Sequence, residues 1–492
     1  MTLEEAKNIV LSLEDKYPVD TWQYNGIDIW PFIRIELFIK LSAIAIGSEG
    51  TKTRSRSYIL TLILSLLKYL KSRIWDYSKN DQMDSSEVLF ISDGVSFENV
   101  NGLWYEKFCD PWIDYYRHTK RRTKLLTLEN SYHFPRYSKS IFIQLSLNLL
   151  IVLNLIKSKL ISKKKLHLNL EQFDEFTKDE LITQHKIFIN HLWLQKKMSK
   201  VEFFCHYFDR ILFIIKPKLV FIVSYYYDGS MALIYACKKL GIKTVDIQHG
   251  IQNEHHLSYG SWSKVPKVGF NSLPDFFNVW SEFEYKNINT WSQHCETHKA
   301  MITGNIFLEK WKDPNDKTVG VYDQLIQTRL DKSKKTILYS KSPQTESSDM
   351  RGELYTCIKN TQDKFNWLIR LHPAMRDKKR EVIEELHRAG IFHFEIDLSS
   401  SYPLFSILRN IDIHITEQSS VVIEAAEFNV YSIITSRYGE EIYQNLIKKN
   451  KAIFAYNFDE IYRILKNHRN ELTHNQITLK HFDFSIYNQF LK

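Results

Sequence analysis

The 492-residue sequence predicts an α/β protein of two doubly wound parallel-sheet domains facing each other across a cleft. Three observations predict it. The length exceeds what a single hydrophobic core supports. Apolar runs of strand length alternate with helical stretches, which is the rhythm of βαβ units and a parallel sheet. That rhythm occurs twice, over roughly 87–303 and again over 336–467, with a charged stretch rich in Lys and Asp between them.

Composition narrows the functional classes. Hydrophobic residues at 44% and charged residues at 25% are ordinary for a folded protein, whereas 14% aromatic is high. With 15 Gly and 11 Pro there is no long flexible linker. The net charge of +9 suits anionic partners such as phosphates, acidic glycans or a membrane surface. No nucleic-acid-binding motif occurs and the lysines are scattered, so nucleic acid is not an expected partner. The five cysteines (109, 205, 237, 295, 357) form no Cys-x-x-Cys pair. That speaks against a zinc ribbon or a disulfide framework and for a reducing, cytoplasmic compartment.

Residues 2–15 read as an acidic amphipathic helix and not as a signal peptide. The aromatic-rich segment Trp22–Arg34 packs a helix over about 31–46 onto the first domain. Two apolar runs follow, 58–70 and 141–156, each flanked by Lys or Arg and each short of the ~20 residues a spanning helix needs. Two readings stay open for them: helices buried against a sheet, or helices lying on the inner, anionic face of the cell membrane with basic anchors.

Glu87–Asp93 reads as a buried strand ending in Ser92 and Asp93, and Thr123–Leu128 as the next. Helices are expected over 139–163, 171–198 and 200–215. Lys218–Ser224 is a strand, Met231–Leu240 a helix closed by Gly241 at the position a helix C-cap favours, and Lys243–Ile247 a strand. This βαβ unit empties into the polar loop Gln248–His256, at the strand end where open parallel sheets bind ligands. Asp275–Trp280 and Lys299–Thr303 complete the first domain, which spans 1–308. A linker is expected over 309–335.

The second domain, 336–475, alternates strands at 336–340, 366–371, 392–396, 411–416, 431–435 and 452–455 with helices at 350–362, 377–389, 402–409, 420–427, 440–449 and 458–467. The tail 476–492 carries Phe482, Phe484, Tyr487 and Phe490 and is expected to pack back on the first domain.

The chemistry is expected at the strand ends. Ser419 and Ser420 sit where a strand gives way to a helix, whose free backbone N–H groups suit a phosphate or diphosphate. Arg370 and His372 alternate at the end of another strand, just before Pro373. Lys341, in a third strand-end loop, adds charge toward a diphosphate, and Glu424 stands one helical turn on for a ribose hydroxyl. The first domain offers Asp228 and His249 as bases for an acceptor hydroxyl, and Glu254, His255 and His256 to face the acceptor. Asp228, which precedes Gly229, reads equally well as a helix N-cap. No carboxylate cluster stands at metal spacing, so neither a metal nor a cofactor is expected. No Walker A sequence and no Gly-x-Gly-x-x-Gly follows a strand, which disfavours P-loop hydrolysis and nicotinamide or flavin chemistry.

Taken together, Gln248-His-Gly250, Arg370-Leu-His-Pro373 and Ile411-Asp-Ile-His-Ile-Thr-Glu-Gln-Ser-Ser420 resemble bacterial GT-B glycosyltransferases of surface polysaccharide (capsule and lipopolysaccharide) synthesis. The chain is also similar to CDP-glycerol glycerophosphotransferases and to sialyl- and Kdo-transferases of the same fold. Tyr227-Asp-Gly229 partly matches the acidic-Gly motif of the latter, with Tyr227 where a second carboxylate is usual. The resemblance covers roughly 218–440. It implies an inverting, metal-independent transferase using a UDP-, CMP- or CDP-linked donor and a glycan or lipid-linked acceptor. It further implies that His372, Ser419 and Ser420 hold the donor phosphates, Glu424 the ribose, and Asp228 or His249 the acceptor proton. A polyol-phosphate transferase and a non-catalytic glycan assembly subunit are the alternative readings; a non-hydrolysing nucleotide-sugar epimerase shares the fold, but the aromatic, basic first domain suits a large acceptor better.

Overall fold

The computed structural model describes residues 1–45, 83–128, 134–144, 146–149, 151, 170–342, 348–468 and 482–492. The helix Leu3–Lys16 opens on a capping box, in which Thr2 and Glu5 satisfy each other's backbone N–H. A short ribbon of β1 (Gln23–Tyr24) and β2 (Ile27–Asp28) then leads into the helix Trp30–Ala45. The chain continues with β3 (Val88–Ser92), a hairpin of β4 (Phe97–Val100) and β5 (Leu103–Glu106), β6 (Thr123–Thr127) and β7 (Ile141–Phe142). β8 (Leu219–Val223), β9 (Lys243–Ile247), β10 (Phe276–Val279) and β11 (Lys299–Ile302) complete the first domain.

Seven of these strands form one parallel sheet in the order β11-β10-β9-β8-β3-β6-β7. β3 and β8 are buried at every position, as expected when helices cover both faces of a parallel sheet. The chain runs outward from β3 through β6 to β7, then returns to run outward from β8 to β11. The topological switch point therefore lies between β3 and β8.

The second sheet is also parallel, with β12 (Thr336–Lys341), β13 (Asn366–Leu371), β14 (Ile413–Thr416), β15 (Tyr431–Ile434) and β16 (Ala452–Phe454) in the order β13-β12-β14-β15-β16. Its switch point lies between β12 and β14. Two doubly wound α/β domains are therefore present.

Several expectations differ in detail. No strand forms at 392–396; a single bridge, Leu368 to Glu395, precedes the helix Asp397–Ser401. The helix expected over 139–163 begins instead with β7. The 171–198 stretch breaks into Phe173–Thr177, Glu180–Thr183 and the start of the long helix His191–Ile215. Asp179 imposes one of these breaks by capping Leu181 N while accepting from Lys16 and Tyr17. The 309–335 segment contains the helix Lys317–Gln327, and its Val319, Tyr322 and Ile326 share an apolar cluster with Leu338 and Leu368 of the second sheet.

At the C-terminus, the 3₁₀ helix Phe484–Leu491 packs against the first domain, where Tyr487 and Leu491 join Phe90, Trp112 and Phe221. The 58–70 run, and the 141–156 run from residue 152, lie outside the described residues. Among the described residues no helix is long and apolar enough to cross a membrane.

The β4–β5 hairpin joins the domains. Asn101 (φ +53°) and Gly102 (φ +83°) supply the two left-handed residues that a two-residue type I′ turn requires. Asn101 N donates to Tyr322 Oη at 3.1 Å, Leu404 N donates to a Glu98 carboxylate oxygen at 3.2 Å, and Tyr105 stacks on Phe307. Elsewhere Asn253 Nδ2 donates to the Ile442 carbonyl at 3.1 Å, and Leu3 N to Glu441 at 2.7 Å.

Candidate active site

Polar residues end the strands on both sides of the first switch point. β3 runs into Asp93, and β8 into Ser224. Ser224 has φ +64°, a left-handed conformation that costs a residue bearing a Cβ about 1 kcal/mol. The Ser224 hydroxyl lies 3.0 Å from His249 Nε2 and 3.2 Å from an Asp93 carboxylate oxygen. Tyr226 Oη is 3.2 Å from the same imidazole nitrogen. One serine hydroxyl thus links the imidazole after β9 to the carboxylate after β3. Burial lowers the pKa of His249, while the Asp93 charge acts the other way. The result is an imidazole held toward its neutral form and linked through Ser224 to a carboxylate, with its other ring nitrogen, Nδ1, buried and without a partner.

Lys107 follows the hairpin and occupies a central electrostatic position. Its Nζ is 3.9 Å from Glu98, and its charge disfavours protonated His249 and His372 while favouring ionised Glu424. Groups from both domains therefore share one field. Beneath them Glu106 accepts from Phe108 N at 3.1 Å and from the Ser92 hydroxyl at 3.3 Å, and burial pushes its carboxyl up to about 7.

The second domain presents Glu424, His372 and the two serines. Glu424 is buried in the helix Val421–Glu427, and desolvation pushes it up to about 7 against the pull of Lys107 and Arg370. One of its carboxylate oxygens has no partner. Desolvation also lowers the pKa of His372, with Arg376 and Lys107 adding to the effect. Ser419 accepts weakly from Val421 N at 3.4 Å, whereas Ser420 makes no side-chain cap.

The remaining expected residues have other partners. Asp228 lies 2.8 Å from Lys197 and 3.0 Å from Lys200; burial raises its pKa, but the two lysines more than reverse that, leaving it lowered. A carboxylate so paired is a weak base. Lys341 donates to Tyr355 Oη at 2.9 Å and pairs with Glu385 at 3.5 Å. Arg370 donates to the Ser399 and Tyr402 carbonyls at 2.5 and 2.9 Å and lies 3.7 Å from Glu98. His255 meets Glu4 at 3.0 Å. His256 packs among Phe38, Tyr226 and Tyr259 and is pushed down to about 3 by burial, then by His249. Glu254 is exposed.

Asp93, Ser224, Lys107 and Glu98 were not among the residues expected from sequence. The Asn101-Gly102 dipeptide between two short apolar-polar segments is the signal that would have placed Glu98 and Lys107 on a hairpin.

Two doubly wound parallel-sheet domains are present, as the GT-B resemblance implies. No family model matches the chain, and no curated protein matches it in sequence. Solved structures do. The UDP-GlcNAc 2-epimerase of Neisseria meningitidis is 12% identical, with 77% of this chain and 90% of that one covered at a TM-score of 0.46. The UDP-N-acetylglucosamine 2-epimerase of Rickettsia bellii is 12% identical over 82% and 93% of the two chains, at 0.46. A wall teichoic acid polymerase is 12% identical over 88% and 90%, at 0.42.

Proposed function

We propose that the chain is an inverting, metal-independent glycosyltransferase that moves a sugar from a nucleotide-activated donor to a growing bacterial surface polysaccharide. The observation that carries this reading is that Lys107 acts electrostatically both on His249 of the first domain, which is linked through Ser224 to Asp93, and on Glu424 and His372 of the second.

His249 takes the proton of the acceptor hydroxyl as its oxygen bonds to the anomeric carbon. The bond from that carbon to the phosphate oxygen breaks, and the nucleotide departs with the electron pair. His372, Ser419 and Ser420 hold the phosphates, and Lys107 balances the charge that develops on them, the task a divalent ion performs in other transferases. Glu424 binds a ribose hydroxyl. Contact between the domains keeps water from the donor. The acceptor is a glycan, lipid-linked at the cytoplasmic membrane face, where the net charge of +9 favours an anionic surface.

The test is thermal-shift and calorimetric binding of UDP, CMP, CDP and GDP to wild type and to Ser419→Ala/Ser420→Ala. Saturable stabilisation by one nucleotide, lost in the variant, supports the donor site. A folded wild type that binds none of them sinks the transferase reading in favour of a non-catalytic assembly subunit. A phosphodiester product in place of a glycosidic bond would reassign the reaction to polyol-phosphate transfer.

A further inference from the structure

Three cationic side chains stand where the β4–β5 hairpin abuts the end of β13, in the field of one carboxylate. Glu98 of β4 lies 3.9 Å from Lys107 and 3.7 Å from Arg370. Arg376, in the 3₁₀ helix Pro373–Lys378 that follows His372, feels the same carboxylate but forms no ion pair among the described residues. Its guanidinium lies over the Trp104 ring of β5, 5.8 Å from the centroid. Glu424, a second acid in this field, is pushed up to about 7 by burial and is only partly ionised at neutral pH. Positive charge is therefore in excess at this seam between the domains.

The three cations differ in the acceptors they have. Arg370 donates to the Ser399 and Tyr402 carbonyls, so the fold itself occupies it. Arg376 donates to nothing among the described residues. Its Nε is buried without a partner, whereas its two terminal nitrogens are unbonded and open to solvent. The Lys107 ammonium is likewise open and makes no hydrogen bond. A guanidinium carries five donors in a planar fork that matches two oxygens of a phosphate or carboxylate. Burial lowers the pKa of Arg376 against the pull of Glu98, a cost that a bound anion would relieve.

Both open cations act on His372. Arg376 does so from four residues along the same domain, and Lys107 from the other side of the seam, where it also acts on His249. An anion beside His372 is thus in the field of a lysine of the first domain and an arginine of the second.

We infer, given the transferase reading, that Arg376 and Lys107 hold the donor's second anionic group, the one beside the transferred sugar. Arg376 thereby joins the donor-binding residues, and the donor must carry an anion beyond the phosphate attached to its nucleoside. That group is the β-phosphate of a diphosphate donor or a carboxylate on the sugar of a CMP-linked one. Either presents paired oxygens to the guanidinium fork.

Calorimetric titration of the full chain separates these sources. The pairs are UDP against UMP, CDP against CMP, GDP against GMP, and CMP-N-acetylneuraminate against CMP. In at least one pair the member with the additional anionic group is expected to bind about tenfold tighter or more, the scale of a charge-assisted hydrogen bond. Preference in a diphosphate pair assigns the β-phosphate, and preference in the last pair alone assigns the carboxylate. Arg376→Gln is expected to bring the preferred pair within about threefold while leaving the weaker member's affinity unchanged, and Lys107→Gln to narrow the gap in part. Arg376→Lys keeps the charge without the fork. It is expected to fall between wild type and Arg376→Gln, and it serves if the glutamine variant fails to fold.

Equal affinities within every pair overturn this assignment and leave the transferase reading standing. A preference that both Arg376 variants keep in full also overturns it. If no nucleotide binds, inorganic pyrophosphate is the remaining probe. Pyrophosphate binding that Arg376→Gln abolishes keeps the anion site and removes the transferase reading, and absence of binding removes both.

Discussion

Glu98 Oε1 lies 3.7 Å from an Arg370 guanidinium nitrogen, pairing the first domain's hairpin with the end of β13 in the second. Both side chains are nearly buried, and Arg370 spends its other nitrogen on two backbone carbonyls. The arginine thus works as a tie between domains more than as a phosphate ligand. Removing one partner of such a pair leaves an uncompensated charge, at a cost of about 3 kcal/mol. Glu98→Ala is expected to lower the Tm of the full chain by several degrees. Glu98→Gln, which can still accept from Leu404 N, is expected to lower it less. Equal Tm values for wild type and Glu98→Ala would remove this pair from the account of domain contact.

The pH dependence of transfer has a sign fixed by His249. Its base form is the neutral imidazole, and burial sets its pKa below the ordinary 6.5. The acid limb of kcat/KM should therefore have its midpoint below about 6.5, with activity lost as pH falls through it. Asp93 raises this pKa and Lys107 lowers it. Asp93→Asn is expected to move the limb to lower pH, and Lys107→Gln to higher pH. His249→Gln is expected to lose about 10²–10⁴-fold in kcat while retaining nucleotide binding. Profiles that moved the same way in both charge variants would take the limb away from His249.

Much of the scaffold was legible because parallel strands covered on both faces read as unbroken apolar runs. Leu219–Val223 and Ile337–Tyr339 are such runs, and the polar residues ending them mark where ligands gather. His249 and His372 were singled out in this way, and Glu424 from the helix that follows such a strand end. Partners remote in sequence were not legible. Nothing near Lys341 announces Tyr355 or Glu385, and nothing near His255 announces Glu4, yet these contacts decide whether the side chains are free. The hairpin was passed over because its strands are short and carry Glu98 and Glu106 at positions buried by tertiary contact alone.

Ser224 offers a test that separates strain from hydrogen bonding. At φ +64° its Cβ is disfavoured, whereas glycine tolerates that conformation. Ser224→Gly and Ser224→Ala both lose the hydroxyl that contacts His249 and Asp93, and they differ only in the Cβ. Ser224→Gly is therefore expected to be the more stable of the two by about 1 kcal/mol, read from their melting temperatures. Both are expected to lose turnover to a similar extent. An alanine variant as stable as the glycine one would show that no strain resides at this strand end.

Glu424 makes a prediction about stability rather than rate. Burial holds its folded-state pKa near 7, well above the ordinary carboxyl value of 4.5. Between those two values the side chain stays neutral in the folded chain and ionises in the unfolded one. Its favourable contribution is fully present below pH 4.5 and is lost as pH rises through about 7. Glutamine has the same shape and no such loss. The difference in Tm, Glu424→Gln minus wild type, is therefore expected to grow from about pH 5 to about pH 8 and then level. Added nucleotide, if it seats a ribose hydroxyl on the neutral acid, narrows that difference by holding the proton in place. A difference that stays flat across the range would mean that Glu424 ionises in the folded chain much as it does in the unfolded one.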